Sequence, residues 1–314
     1  MKGPVITVVG SMIYDFVAFA DRMPEQGETV RGYDFGMFTG GKGANQAVQV
    51  GRLGACCYMA GMVGQDFMGR AILESLQASG VNTDYVIENP EAKTASCCIF
   101  VAGGENRIII CLQANEVYSV QDLAGVEQQI SASDIILLQL EMTMPVITET
   151  VKLAKKYGKK VILNPAPYRP LTGELLANVD YLTPNYTEAL ALINKQGEKP
   201  SLEELAAGLR EIKADGNFCV TLGAKGALIV AGGENILVPA YQIEAVDETA
   251  AGDAFNGALA VTLGEGADLV EAVKFANAAG AVAAMRKGAQ PSIGTRTEIE
   301  KFIQTKPQLK EIRL

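Results

Sequence analysis

The chain has 314 residues, with 27 Lys and Arg against 36 Asp and Glu for a formal net charge of −9, and it contains neither histidine nor tryptophan. Without histidine, a Ser-His-Asp or Cys-His mechanism, a His-ligated zinc and a His-ligated haem are excluded, so proton transfer must fall to Asp, Glu, Lys, Tyr or Cys. An acidic balance with no long basic block also argues against a nucleic-acid or anionic-membrane binder, which needs clustered Lys and Arg.

At 48% hydrophobic and 20% charged residues the composition is that of a globular protein with a large core. Cys56-Cys57, Cys97-Cys98, Cys111 and Cys219 form no CxxC and no metal-ligand spacing. They are expected as small buried hydrophobes in a reducing cytosol. Residues 1–10 form a short apolar run without a basic region or cleavage site, and no segment reaches the roughly 18 apolar residues of a membrane span. A soluble, cytoplasmic protein is expected.

In chain order, short β-branched runs at 5–9, 56–63, 135–140, 161–163, 181–183 and 218–222 predict strands. Helical periodicity predicts helices over 44–53, 68–79, 145–157, 202–212, 253–263 and 269–286. The alternation predicts an α/β fold, a mostly parallel sheet flanked by helices. Residues 13–38 and 94–112 break the rhythm: they read as strands and turns without a helix, including the turn-like Gly103-Gly104-Glu105-Asn106. These two excursions are expected to pair as a small β-sheet lid, leaving 1–12, 39–93 and 113–314 as the body.

The densest glycine cluster, Gly40-Gly41-Lys42-Gly43-Ala44-Asn45-Gln46-Ala47, ends a strand-like run and opens a helix. It is not a P-loop, because Gly43 stands where Ser or Thr must hold Mg²⁺. It is not a dinucleotide fingerprint, because Gln46 replaces the third glycine. It does provide a backbone that a ligand can approach closely, with one cation and one amide at a helix start; a structural glycine turn accounts for it equally well. A second run, Asp247-Glu248-Thr249-Ala250-Ala251-Gly252-Asp253-Ala254-Phe255-Asn256-Gly257, leads into a helix with only small residues over its first N–H groups. Such a start suits a phosphoryl group, and an Asp beside it is either a cap or a general base for a hydroxyl attacking phosphorus. Thr183-Pro184-Asn185-Tyr186-Thr187-Glu188 places an amide and a carboxylate three apart after a strand, suited to water-mediated Mg²⁺ contacts. Thr221-Leu222-Gly223-Ala224-Lys225-Gly226 follows another strand as a turn on which a nucleotide could rest. Open α/β sheets bind ligands at such strand ends.

Across essentially its whole length the chain resembles the ribokinase branch of the PfkB carbohydrate kinases. The resemblance rests on the runs 40–47 and 247–257, on Gly54 and Gly64, Gly10-Ser11, Asn164-Pro165-Ala166-Pro167, the Asn185 and Glu188 pair, and Arg286-Lys287-Gly288-Ala289-Gln290-Pro291-Ser292. It implies a ribokinase-like three-layer sandwich with a β-sheet lid, through which the branch often dimerises. The activity it implies is ATP-dependent phosphorylation of a sugar's primary hydroxyl. Asp253 would be the general base, with the amides of Ala250, Ala251 and Gly252 facing the transferring phosphoryl group. Asp15, Gly41, Lys42, Gly43, Asn45 and Glu141 match sugar-contacting positions. Asn185, Thr221, Gly223, Lys225, Gly226, Gly252 and Asn277 match the nucleotide side, with Glu188 organising Mg²⁺ through water. Asp247, Thr249, Ala283, Arg286, Gly288 and Ser292 match the positions around an activating K⁺. Ile13 departs from the pattern, because ribokinases carry Asn two residues before the sugar-binding Asp. Leaving a sugar hydroxyl unpaired there costs about 1–3 kcal/mol, so an apolar residue suits a sugar lacking one hydroxyl.

The expectation is therefore a kinase for ribose or 2-deoxyribose, making the 5-phosphate. A kinase for a nucleoside or fructose-like sugar and an inactive sugar-binding regulator are the alternatives; a nicotinamide oxidoreductase is disfavoured by the broken fingerprint.

Overall fold

The computed structural model describes residues 3–314; Met1 and Lys2, counted above with the body, lie outside the described residues. The chain runs β1 (Val5–Val9), β2 (Ile13–Ala20), β3 (Gly32–Gly40), α1 (Lys42–Arg52), β4 (Cys56–Gly64), α2 (Phe67–Ala78), β5 (Val81–Asn89), β6 (Ala95–Ala102) and β7 (Glu105–Cys111). Short helices α3 (Ala114–Val117), α4 (Val120–Leu123) and α5 (Glu127–Ala132) precede β8 (Ile135–Leu138), α6 (Met144–Lys156), β9 (Lys160–Leu163), α7 (Gly173–Ala177), β10 (Tyr181–Leu182), α8 (Tyr186–Leu192) and α9 (Leu202–Ile212). Then follow β11 (Asn217–Thr221), β12 (Ala227–Ala231), β13 (Glu234–Val238), α10 (Ala251–Gly264), α11 (Leu269–Ala284), α12 (Arg296–Gln304) and β14 (Ile312–Arg313).

The large sheet has ten strands in the order β14-β13-β12-β11-β10-β9-β8-β1-β4-β5. From β11 to β5 each neighbouring pair is parallel, while β12, β13 and β14 add antiparallel strands at one edge. Both faces are covered, and the apolar side chains divide accordingly. Ile6, Val8, Ile135 and Leu137 join a core with Ala44, Ile72, Phe255 and Val273, whereas Val9, Ile136 and Leu138 join another with Val146, Leu175 and Leu205. Alternation along strands buried on both sides thus builds three layers, α/β/α. The strand order switches direction at β1, flanked by β8 on one side and β4 on the other, which is where such sheets open a crevice beyond their C-terminal ends.

The two helix-free excursions form a separate four-stranded sheet, β3-β2-β6-β7. Within it β2 pairs in parallel with β6, and a two-residue Gly103-Gly104 turn, both at positive φ, closes the β6–β7 hairpin. Buried and half-buried side chains pin its roots to the body. Asn115 binds both main-chain polar groups of Met12 (3.2 and 3.1 Å), Asp66 accepts from the N–H and hydroxyl of Thr94 (2.9 and 2.8 Å), and the Thr39 hydroxyl donates to Gln290 at 2.6 Å.

Several expectations need correction. The strand expected over 135–140 ends at Leu138, the helix expected from 253 starts at Ala251, and the helix expected to 286 ends at Ala284. Not foreseen were β5, the β12–β13 hairpin, β14, α8 and α12. The cysteines are free, but only Cys57, Cys97 and Cys219 are buried; Cys56, Cys98 and Cys111 are exposed. Adjacent residues on a strand point to opposite faces, so each Cys-Cys pair could bury only one member. No helix among the described residues is long and apolar enough to cross a membrane.

Candidate active site

The crevice beyond β1 and β8 collects the glycine cluster and several charged side chains. Gly41, at φ 89°, precedes α1, and Gly43 packs so tightly that an added Cβ would lie 2.6 Å from Gly10 C and Ser11 N. Only glycine lets the helix start touch the loop after β1. Glu141, just past β8 and buried, accepts from the Ser11 hydroxyl at 2.5 Å and from Lys42 N–H at 3.0 Å. From the buried face of α1, Asn45 and Gln46 reach Asp253 in the first turn of α10. Asn45 Nδ2 donates to Oδ2 at 2.9 Å and Gln46 Nε2 to Oδ1 at 3.0 Å. Asp15 lies against Gly40, where a Cβ would meet its Oδ2 at 2.5 Å. Ile13, two residues earlier on the same strand face, is 3% exposed and packs with Ala95, Cys97 and Leu112 at the root of the small sheet.

Burial and nearby charges shift the protonation of Asp15, Asp253 and Lys42. Burial pushes Asp15 up to about 7, with Glu141 adding to the rise. Burial also raises Asp253, partly countered by the charge of Lys42 and the two amides, so its carboxyl stays above the ordinary value. Lys42, which burial alone would lower, is held above its ordinary value by Asp253, Glu141 and Glu188.

Around α10 the chain leaves donors free. Helices α2, α9, α11 and α12 start with a side-chain cap from Asp66, Ser201, Asp268 and Thr295, whereas α1 and α10 have none. The residue before α10, Ala250, sits at φ 61° in the left-handed region. Ala251 N–H turns back to Glu248 O at 3.1 Å, so of the amides expected to face a phosphoryl group this one is engaged within its own loop. Asp247 braces the loop. Its Oδ1 accepts from the N–H and hydroxyl of Thr249 (2.9 and 2.6 Å) and its Oδ2 from Gly288 N–H at 2.9 Å. These bonds hold it below the ordinary carboxylate value although burial acts the other way. Among the positions matched to K⁺, Asp247, Thr249 and Gly288 are thus directly joined. Arg286 N–H donates to Ala283 O at 3.0 Å, its guanidinium turns away to Glu298, and the Ser292 hydroxyl is bonded to Ala289 O. Among the described residues no three acidic or thiol side chains gather as a metal site, so a cation here would rest chiefly on main-chain carbonyls.

Beside the α10 start opens a cavity of about 470 Å³ lined by Asn185, Thr221, Gly223, Gly226, Gly252 and Asn277. That is the size of a pocket for a nucleotide-like ligand. Asn185 and Glu188 form a reciprocal capping box at α8, each main-chain N–H donating to the other's side chain at 2.8 Å. Burial raises Glu188, against the Asn185 N–H and Lys42. Asn277 is tied by its Nδ2 to Val238 O and Pro239 O, both at 3.2 Å, and so holds the cavity wall. Lys225 does not join this lining: it is exposed, and its neighbour Ala224 faces the cavity instead. Of the apolar wall, Phe255 lies in the 247–257 run, whereas Tyr241, Ile243 and Ala281 carry no motif. Gln46 lies inside the glycine cluster and Gln139 just past β8; as neutral amides, neither carries a signal of its own in the sequence.

A buried carboxylate on one side of an open helix start, and a nucleotide-sized cavity on the other, belong to a small-molecule phosphotransferase. The family model described as pfkB family carbohydrate kinase matches residues 5–296, and the chain belongs to that family. It is 38% identical over 298 residues to a ribokinase of Bacillus subtilis, covering 95% of this chain and 99% of that one. It is 32% identical over 302 residues to a deoxyribokinase of Salmonella typhi, covering 95% and 98%. Among solved structures, Thermotoga maritima ribokinase superposes with a TM-score of 0.87 at 37% identity, and Arabidopsis thaliana ribokinase complexed with ribose and ATP with 0.88 at 32%; each pair covers 96% of this chain and 99% of the other.

Proposed function

We propose that the protein is an ATP-dependent pentose kinase that phosphorylates the primary 5-hydroxyl of ribose or 2-deoxyribose. The observation that carries this reading is Asp253, a buried carboxylate held by two amides at the uncapped start of α10. The sugar lies between the small sheet and α1, its hydroxyls held by Asp15, Lys42, Asn45, Glu141 and the backbone of Gly41 and Gly43. Asn45 supports this, since its Oδ1 is buried and has no partner among the described residues. Asp253 takes the proton of the primary hydroxyl as its oxygen attacks the γ-phosphorus of ATP; the bond to the β,γ-bridging oxygen breaks and ADP leaves. The amides of Ala250 and Gly252 and the Lys42 ammonium face the charge that develops, while the Ala251 amide, turned to Glu248 O, holds the loop that carries them. ATP occupies the cavity from Asn185 to Asn277, with Lys225 at its rim.

The donor sets fit two cations. Asn185 and Glu188 would hold Mg²⁺ through water, and the ion would supply neutralisation of phosphate charge. Carbonyls around Asp247, Thr249, Ala283, Arg286, Gly288 and Ser292 would hold K⁺ and keep the 247–252 loop in place. The four-stranded sheet acts as the lid, and its exposed Tyr33, Phe35, Met37, Ile108, Ile109 and Ile110 offer the surface for a homodimer. Exposed free thiols and the use of ATP fit a reducing compartment, and we place the enzyme in the cytoplasm. Ile13 favours 2-deoxyribose over ribose, because an apolar wall leaves a 2-hydroxyl unpaired. ADP release measured over ribose, 2-deoxyribose, fructose and nucleosides, with K⁺ or Na⁺, tests the reading. Turnover is expected with the two pentoses; turnover confined to nucleosides, or none with any sugar, would overturn it.

A further inference from the structure

The carboxylate of Asp253 belongs to a larger construction. Gln46 Nε2, besides donating to Asp253 Oδ1, donates to Asn164 Oδ1 at 3.3 Å. Asn164 Nδ2 donates to Thr183 O at 2.8 Å, the Thr183 hydroxyl donates to Asn256 Oδ1 at 2.5 Å, and Asn256 Nδ2 donates to Gly252 O at 2.8 Å. Gly252 is the residue before Asp253, so the chain of bonds closes on itself. The ring spans α1, the ends of β9 and β10, and α10. Gln46, Thr183 and Asn256 are at most 2% exposed, Asn164 and Asp253 8%. Outside the ring, Gln139 Nε2 donates to Gln46 Oε1 at 2.6 Å. A carboxylate accepts and cannot donate, so the Gln46 nitrogen must face Asp253, and its oxygen is left for Gln139. Each side-chain amide and hydroxyl of the ring itself has a partner, whereas Gln139 Oε1 outside it is buried without one among the described residues; a satisfied buried ring specifies one arrangement.

We propose that Gln46 is a positioning residue for the transfer step: through this closed ring it fixes the Asp253 carboxylate and the Gly252 main chain relative to each other, with Gln139 locking its amide. The inference rests on Asp253 being the general base. The base and one wall of the phosphoryl site are then held as a unit, and the unit is anchored to the ends of β9 and β10 in the sheet.

The test uses Gln46→Met and Gln139→Met, which keep side-chain length and remove the amide, with Asp253→Asn in parallel. In both Met variants the charged groups facing Asp253 (Lys42 from α1, Glu141 after β8 and Glu188 from α8) are unchanged. The measurement is kcat and sugar KM against pH at saturating ATP. For Gln46→Met, kcat is expected to fall about 10- to 100-fold, part of the roughly 10²- to 10⁴-fold a positioned base supplies. Sugar KM should stay within about threefold. Because the lost N–H bond stabilised the anion, the half-maximal point of the acidic limb moves to higher pH. Gln139→Met should shift both in the same direction by less, and it decides the matter alone if Gln46→Met does not fold. Parental pH profiles and kcat in the folded variants, with Asp253→Asn inactive, overturn the ring and leave the base intact. Full activity in Asp253→Asn overturns the base reading itself.

Discussion

Replacing Ile13 with Asn separates substrate choice from catalysis. Ile13 is 3% exposed, packed against Ala95, Cys97 and Leu112, and it shares a strand face with Asp15. Its removal forfeits about 1.5–3 kcal/mol of apolar burial, and an Asn amide without a partner adds a desolvation cost of about 1–3 kcal/mol. The ligand-free variant is therefore expected to be less stable than the parent by roughly 2.5–6 kcal/mol, the sum of those two ranges. A sugar 2-hydroxyl can restore the second part by pairing with the amide, and 2-deoxyribose cannot. Bound ribose should then recover stability that 2-deoxyribose does not, and the kcat/KM ratio of ribose to 2-deoxyribose should rise about 5- to 150-fold. Coupled ADP-release kinetics with both sugars, alongside thermal melts with and without each, read both quantities. A folded Ile13→Asn protein with the parental ratio would refute the placement of residue 13 against the sugar.

Other expectations follow from the same geometry. Asp253→Asn should lower kcat by about 10²- to 10⁴-fold with sugar affinity nearly unchanged, measured by single-turnover transfer and sugar titration; parental turnover would remove Asp253 as base. Asp15 holds its proton up to about 7 in the fold against 3.8 as a free side chain, so its protonated form favours the folded state. Its contribution to stability is full below about pH 4 and lost as pH rises through 7. Sugar hydroxyls donate to the anion, so sugar KM should rise as pH falls below about 7, and Asp15→Asn should flatten that dependence. Gly43→Ala places a Cβ 2.6 Å from main-chain atoms of Gly10 and Ser11 that cannot swing aside. A loss of about 1–3 kcal/mol and a higher sugar KM are expected, and an unchanged melting curve would contradict the close contact.

Much of this was legible in the sequence because it lies in local chemistry. The parallel body could be read from β-branched runs such as 5–9 and 161–163, since strands buried on both faces have to be apolar throughout. The small sheet could be read from two helix-free stretches and from Gly103-Gly104, a pair that takes the positive φ of a tight hairpin. The same signal stood at Gly232-Gly233, which closes the β12–β13 hairpin and was passed over. β5 escaped because Asn82, Thr83 and Asp84 interrupt its apolar pattern near one edge of the sheet, where one side is open to solvent. Within the site, residues with a distinctive chemistry announced themselves, Asp253 and Lys42 above all. Gln46, Gln139, Asn164, Thr183 and Asn256 did not, because a neutral amide acquires a role only from partners brought in from distant segments. Gln46 and Asp253 are 207 residues apart and meet at 3.0 Å. The absent histidine leaves the proposed proton transfer to one buried Asp, raised by burial and faced by one Lys and two amides.

The central claim is transfer of the γ-phosphoryl group of ATP to the primary hydroxyl of a pentose. The most direct measurement incubates the protein with ATP, Mg²⁺ and either ribose or 2-deoxyribose and locates the phosphate by phosphorus–proton NMR correlation. Coupling of phosphorus to the two C5 protons, with ADP formed in equal amount, is the predicted result. Phosphate on the anomeric carbon, or ATP hydrolysis at the same rate without sugar, would contradict it.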